Sequence, residues 1–140
     1  MKKIDLAYVA GIIDGEDWVT IKEKRVKDKL ISRAIKVGVG NTNEWLIKWL
    51  QFSFGGSVRI HEGTGNQKRR WDWDISTRQA KYFLELVLPY LRMKRPQAEL
   101  ALKFQNRRKY RGHQPMPESD WALDEADKIL MTSYNKRGIE

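Results

Sequence analysis

The sequence predicts an α+β domain in which an antiparallel four-stranded sheet carries helices on one face. Three observations predict it. Apolar residues recur with a helical period at the start of the chain, then switch to period two over two consecutive runs. A second helical stretch is followed by two more alternating runs and then by helices alone. The strands of each pair are joined by short turns or a Gly-containing loop, so hairpins suffice and no crossover is needed.

Each element has its own signal. Ile4 to Asp14 reads as a helix with Leu6, Val9 and Ile13 on a core stripe. Ala7, Ala10, Gly11 and Asp14 form a second stripe of small side chains, which lets another backbone approach. Gly15 supplies the left-handed residue that ends a helix. Trp18 to about Val26 reads as strand, and Lys27-Asp28-Lys29 as a turn. Ile31 to Val39 is the clearest strand: Ile31, Ile35, Val37 and Val39 alternate with Ser32, Ala34, Lys36 and Gly38, and Arg33 breaks the pattern.

Asn41-Thr42-Asn43-Glu44 offers capping groups for a helix that carries Trp45, Leu46, Trp49, Leu50 and Phe52. Phe54-Gly55-Gly56 stops it. Ser57–His61 and Arg69–Ile75 read as a strand pair around the loop from Glu62 to Lys68. Thr77 to Leu91 is amphipathic, with Ala80, Phe83, Leu84, Val87 and Leu88 inward. Pro96 restarts the chain as a helix through Ala98, Leu100, Ala101 and Phe104. Arg107 to Pro117 reads as a basic linker, and Ser119 as the cap of a last helix, Asp120 to about Tyr134. The predicted organisation is a core domain over 1–108, a linker over 109–118, and a C-terminal helix and tail over 119–140.

The chain of 140 residues, 41% of them apolar, suits one hydrophobic core. Cysteine is absent, which removes disulfides, thiolate metal sites and zinc fingers. His61 and His113 lie too far apart in sequence to suggest a histidine metal site. No apolar run is long enough to cross a membrane, and the N-terminus makes a poor signal peptide, so an intracellular location is expected. Twenty-seven Lys and Arg against eighteen Asp and Glu give a net charge of +9 and a pI near 9.8. That balance favours a polyanionic partner.

Val9-Ala10-Gly11-Ile12-Ile13-Asp14-Gly15-Glu16 resembles the signature of the LAGLIDADG homing endonuclease family. Asn41 through Val58 resembles the family's second helix and third strand. Phe83-Leu84 and Leu88 through Ala98 resemble its third helix and the basic turn that follows. The likeness spans roughly residues 4 to 108, in order and at family spacing. It departs at Asp17, where the family usually has Gly.

The resemblance implies an αββαββα fold with a saddle-shaped sheet. It also implies a sequence-specific double-strand DNA endonuclease, typically intron-encoded, that leaves short 3′ overhangs. One motif per chain implies a homodimer on a near-palindromic site. Magnesium is the implied cofactor; manganese would substitute, and calcium would support binding without cleavage. Glu16 is the implied metal ligand, with Gly15 beside it. Lys94 and Asn41 are the other implied catalytic residues, and Arg92 and Arg95 are weaker candidates. Ala7, Ala10, Gly11 and Asp14 are the implied dimer contact.

The resemblance also implies that the sheet lies in the major groove, where a two-stranded ribbon fits, so the face opposite the core is the expected DNA surface. Its candidates are Thr20, Lys22, Lys24, Ser32, Lys36, Arg59, His61, Arg70 and Asp72. Lys27, Lys29, Lys68, Arg69, Arg107, Arg108, Lys109 and Arg111 are expected phosphate contacts. Two other readings fit the same scaffold: an intron RNA maturase, and a DNA-binding regulator that does not cut.

Overall fold

The computed structural model describes residues 1–15, 17–108 and 114–136. Helix α1 (Lys3–Gly15) leads into strands β1 (Trp18–Val26) and β2 (Lys29–Asn41). Lys27 and Asp28 both have positive φ, 51° and 65°. That conformation gives the two-residue turn whose twist matches an antiparallel hairpin. Helix α2 (Glu44–Phe54) follows, then β3 (Ser57–His61) and β4 (Arg70–Ser76). The strands pair antiparallel in the order β1-β2-β4-β3.

The core lies between one sheet face and the helices. Val19, Ile21, Ile35, Val37, Val39, Trp73 and Ile75 point into it at period two and are essentially sealed from solvent. Arg33, which broke the alternation, shares this face. Its guanidinium is kept by Glu23, its cross-strand partner, at 2.9 Å. Helix α2 begins at Asn43, whose side chain accepts from the Leu46 N–H at 3.1 Å, and ends at Gly55 with φ 77°. Its buried side is Leu46, Ile47 and Leu50; Trp45 and Phe52 face solvent.

Helix α3 (Thr77–Val87) is shorter than the sequence suggested. Pro89 forces a single 3-10 turn, Leu88–Tyr90, and the chain turns before α4 (Arg95–Asn106). Phe83 sits edge-on to Phe54 at 4.8 Å and to Trp73 at 5.5 Å. The Trp73 indole N–H donates to the Gly55 carbonyl at 2.8 Å, so its polar edge is satisfied inside the core.

Helix α5 (Glu118–Asn135) starts at Pro117, not at a Ser119 cap. It turns acidic groups inward. Asp124 and Asp127 are buried against Arg107 and Arg108 at the end of α4, with ion-pair distances of 2.7–3.0 Å. Arg108 also lies 4.3 Å over the Phe104 ring and donates to the Arg33 carbonyl. These two arginines are therefore structural clamps and not the phosphate contacts the sequence suggested. Lys128 and Asn135 donate to the Ile21 and Val19 carbonyls, so α5 satisfies the outer edge of β1.

Candidate functional site

The end of α1 is tied to the segment before α4 by side chains from both directions. Asp14 turns inward, and its carboxylate accepts from the Arg92 and Lys94 backbone N–H groups, each at 2.8 Å. Lys94 is the N-cap residue of α4, where a negative charge also complements the helix dipole. The Lys94 side chain is buried and runs back to α1. Its ammonium donates to the Ile13 carbonyl at 2.8 Å and to the Asp17 carbonyl. One lysine thus clasps both sides of the turn between helix and strand. Glu16, the implied metal ligand, lies outside the described residues; Gly15 is exposed at the helix end.

Asp17 is buried, and its carboxylate accepts from the Gly40 N–H at 3.1 Å. Strand β1 pairs with β2 only as far as Trp18 opposite Gly38. The Asp17 side chain therefore extends the ladder where backbone pairing stops. Trp18 packs against Gly38, where an ideal Cβ would stand 2.1 Å from the indole Cζ2. Gly40 has Asp72 against it, with 2.6 Å between Asp72 Oδ1 and an ideal Cβ. The two glycines are what allow this close cover.

Asp17 and Trp18 divide two clefts. One, of about 330 Å³, contains Lys94, Thr20 and Lys22, with Tyr134 and Asn135 of α5 on its wall. The other, of about 480 Å³, contains Asn41, Thr42, Arg70 and Asp72. The implied catalytic pair Lys94 and Asn41 thus sit on opposite sides of one residue. Asn41 also braces the start of α2, its side-chain oxygen accepting from Asn43 N–H at 2.8 Å. Arg92 is exposed, and its backbone N–H is held by Asp14; Arg95 donates to the Leu88 carbonyl at 3.0 Å.

The sheet face away from the core brings Thr20, Lys22, Lys24, Ser32, Lys36, Arg59, His61, Arg70 and Asp72 together as expected from alternation. Its charges are organised unevenly. Asp72 holds His61 at 2.6 Å and Arg70 at 3.1 Å, and Asp74 stands 3.8 Å from Lys36 and 3.9 Å from Arg59. On β1, Lys22 and Lys24 make no ion pair among the described residues, and Lys22 stands 5.7 Å from the Trp18 ring centre. The Asp72 carboxylate already has two basic partners within the protein.

The outer face of α1 differs from the small-residue stripe read from the sequence. Ala7 and Gly11 are exposed, but Ala10 is fully buried and Asp14 is only 9% exposed. Both are shielded within this chain and cannot be outward contacts in this packing. The real outer stripe is Ile4, Ala7, Tyr8 and Gly11, and nothing comes within 4 Å of a Cβ built on Gly11. Tyr8 meets Trp49 edge-on at 6.1 Å, and Trp49 stacks on Trp45 at 5.9 Å, so the apolar surface continues onto α2.

Sequence reading missed the Asp17–Gly40 bond, the Trp18 cover and the α5 wall of the Lys94 cleft. Only the second had a signal: Gly38 and Gly40 alternate within a strand, which marks close approach. His113, Lys109 and Arg111 lie outside the described residues. Among the described residues no three His, Asp or Glu side chains converge as a metal site.

An antiparallel sheet in this strand order, covered on one face by helices and preceded by a helix that carries the motif, defines an α+β class. The chain has the LAGLIDADG homing endonuclease fold. It superimposes on the homing endonuclease I-CvuI, solved with its DNA target in the presence of calcium, with TM-score 0.71 and 20% identity over 98% of this chain and 85% of that one. The archaeal intron-encoded homing endonuclease I-Vdi141I, solved with DNA, matches with TM-score 0.76 and 12% identity over 100% and 89%. The chain covers 46% of I-GzeII, solved with its DNA target, at TM-score 0.62 and 16% identity over 96% of this chain. No family model and no curated protein sequence matches it.

Proposed function

We propose that this chain is a sequence-specific double-strand DNA endonuclease that acts as a homodimer with a divalent cation. The observation that carries the reading is the clasp of Lys94 on the Ile13 and Asp17 carbonyls, which ties together the described residues on either side of position 16. An acid beside a basic sheet face is what phosphodiester cleavage in a groove requires. The fold's occurrence in proteins solved on DNA targets supports the same reading.

The donor set of the turn suits magnesium, which prefers oxygen and takes one or two carboxylates with phosphate and water. Glu16 and the Gly15 carbonyl would hold it, with DNA completing the shell. When bound, the ion supplies a more acidic attacking water and charge to stabilise the leaving oxygen. Lys94 anchors the turn and adds fixed positive charge beside it. Thr20, Lys22, Lys24, Ser32 and Lys36 face base edges from β1 and β2; Arg59, His61 and Arg70 do so from β3 and β4. Lys27, Lys29, Lys68 and Arg69 at the loops neutralise phosphates.

A second copy of the chain is the partner for the outer face of α1. Ile4, Ala7, Tyr8 and Gly11 join the exposed Trp45 through the half-buried Trp49 in one apolar surface. Twofold pairing there brings two motif turns to two strands. The test is a cleavage selection on randomised palindromic DNA in magnesium. Cutting that disappears in Glu16→Gln, with binding kept in calcium, is the expected result. Wild-type binding without cutting would give the regulator reading instead, and intron splicing without DNA cleavage would give the maturase.

A further inference from the structure

We propose that Asp17 is a positioning residue that sets the distance between the Lys94 side and the Asn41 side of the site; the assignment rests on the nuclease reading. Two bonds meet at this residue. Its carbonyl accepts from Lys94, the N-cap of α4, and its carboxylate accepts from the N–H of Gly40, the residue before Asn41. Among the described residues the backbone ladder of β1 ends at Trp18 opposite Gly38 and does not reach Gly40. The Asp17 side chain continues the connection there, tying the turn to the tip of β2.

The bond is charge-assisted and shielded, which makes it stiffer than a neutral surface contact. Gly40 is also pressed by Asp72 from β4, so its amide has little freedom to find another acceptor. Asn41 in turn holds the Asn43 N–H at the start of α2. The path runs from α4 through Asp17 to β2 and α2, and it crosses the boundary between the two clefts. A glycine at position 17 has no acceptor to offer, so the tip of β2 would be tied to the turn only through the rest of the sheet.

The test compares Asp17→Gly with Asp17→Asn, which keeps an acceptor oxygen. The first readout needs no DNA. The Gly40 backbone amide and the Asn41 side-chain amide are followed by NMR in the free protein. Both resonances shift and Gly40 loses exchange protection in Asp17→Gly; Asp17→Asn stays near wild type. The second readout is single-turnover cleavage, where Asp17→Gly slows the chemical step about tenfold with DNA affinity held within about twofold. Asp17→Asn recovers most of that loss. An unchanged Gly40 amide in Asp17→Gly overturns the proposal, as does equal damage by both variants. If wild type cuts no DNA, the nuclease reading fails, while the amide readout still decides whether Asp17 couples turn and strand.

Discussion

Asn135 donates its side-chain amide to the Val19 carbonyl at 3.0 Å, so the last turn of α5 is fastened to the first turn-out of β1. Lys128 does the same for Ile21 at 2.8 Å, two residues along the strand and two turns back along the helix. An edge strand with bare carbonyls invites pairing with another chain. Here side chains take the place of a neighbouring strand. The double variant Asn135→Ala, Lys128→Ala is expected to lose about 1–2 kcal/mol in urea denaturation, near 1 kcal/mol for each net hydrogen bond. It should also self-associate more at high concentration, which light scattering would detect.

The inward acids of α5 make a sharper prediction. Asp124 is 2% exposed and serves both Arg107 and Arg108. Asp124→Ala removes one carboxylate partner from each guanidinium, while Arg107 keeps Asp127 and Arg108 keeps the Arg33 carbonyl, and the expected loss is about 2–3 kcal/mol, below the range for fully buried pairs because both arginines are partly solvated. Thermal and chemical melts report it. A loss below half a kcal/mol would show that water replaces the carboxylate without cost. The Arg107 guanidinium, held above its ordinary pKa by Asp127 and Asp124 despite burial, stays charged throughout.

Glu23 gives a pH dependence. The hydrogen bond from Arg33, helped by Arg25, lowers its carboxyl below the ordinary value of 4.5 against the opposing effect of burial. A depressed folded-state pKa stabilises above the unfolded value, and the contribution vanishes as pH falls through the folded value. Wild type should therefore melt higher than Glu23→Gln at pH 7, and the gap should close as the pH is taken below about 4. A gap that persists undiminished at pH 2 would rule out this ion pair as its source.

Gly11 separates the single chain from its dimer. An added methyl meets open space, and glycine inside a helix costs about 0.5–1 kcal/mol relative to alanine. Gly11→Ala is expected to stabilise the isolated chain by that amount. If α1 packs closely on a second copy, the same change weakens dimerisation, and a larger residue such as Leu weakens it further. Analytical ultracentrifugation beside a denaturation curve reads both effects. Unaltered dimer affinity in Gly11→Leu would remove α1 from the interface.

Trp18 and Gly38 form a lock that can be tested by size exchange. Gly38→Ala drives a methyl into the indole and should cost about 1–3 kcal/mol through overpacking. Combining it with Trp18→Ser should restore most of that stability. Failure of the rescue would mean that the strand backbone, and not the indole, objects to the methyl.

The sheet was legible because period-two burial is a local property: Val19, Ile21, Val37, Val39, Trp73 and Ile75 all fall on the face that alternation assigned them. The two hairpins, β1 with β2 and β3 with β4, followed from the short connections; the pairing of β2 with β4 that joins them was not legible. Contacts between residues far apart in sequence were not legible. The small size of Ala10 placed it on an outward stripe, yet it faces the core, because a small residue satisfies a tight interior as well as a tight interface. Arg107 and Arg108 read as a basic tail because their acidic partners arrive on α5, up to twenty residues later. Asp14 read as part of a contact surface because its two N–H donors come from positions 92 and 94.

The fastening of Asn135 beside Val19 also bears on how the polypeptide is handled. Tyr134 and Asn135 line the same cleft as Lys94. A substitution in that last helical turn would therefore reshape the wall beside Lys94, so positions chosen for a label or a surface attachment belong on the turns of α5 that lie away from the cleft.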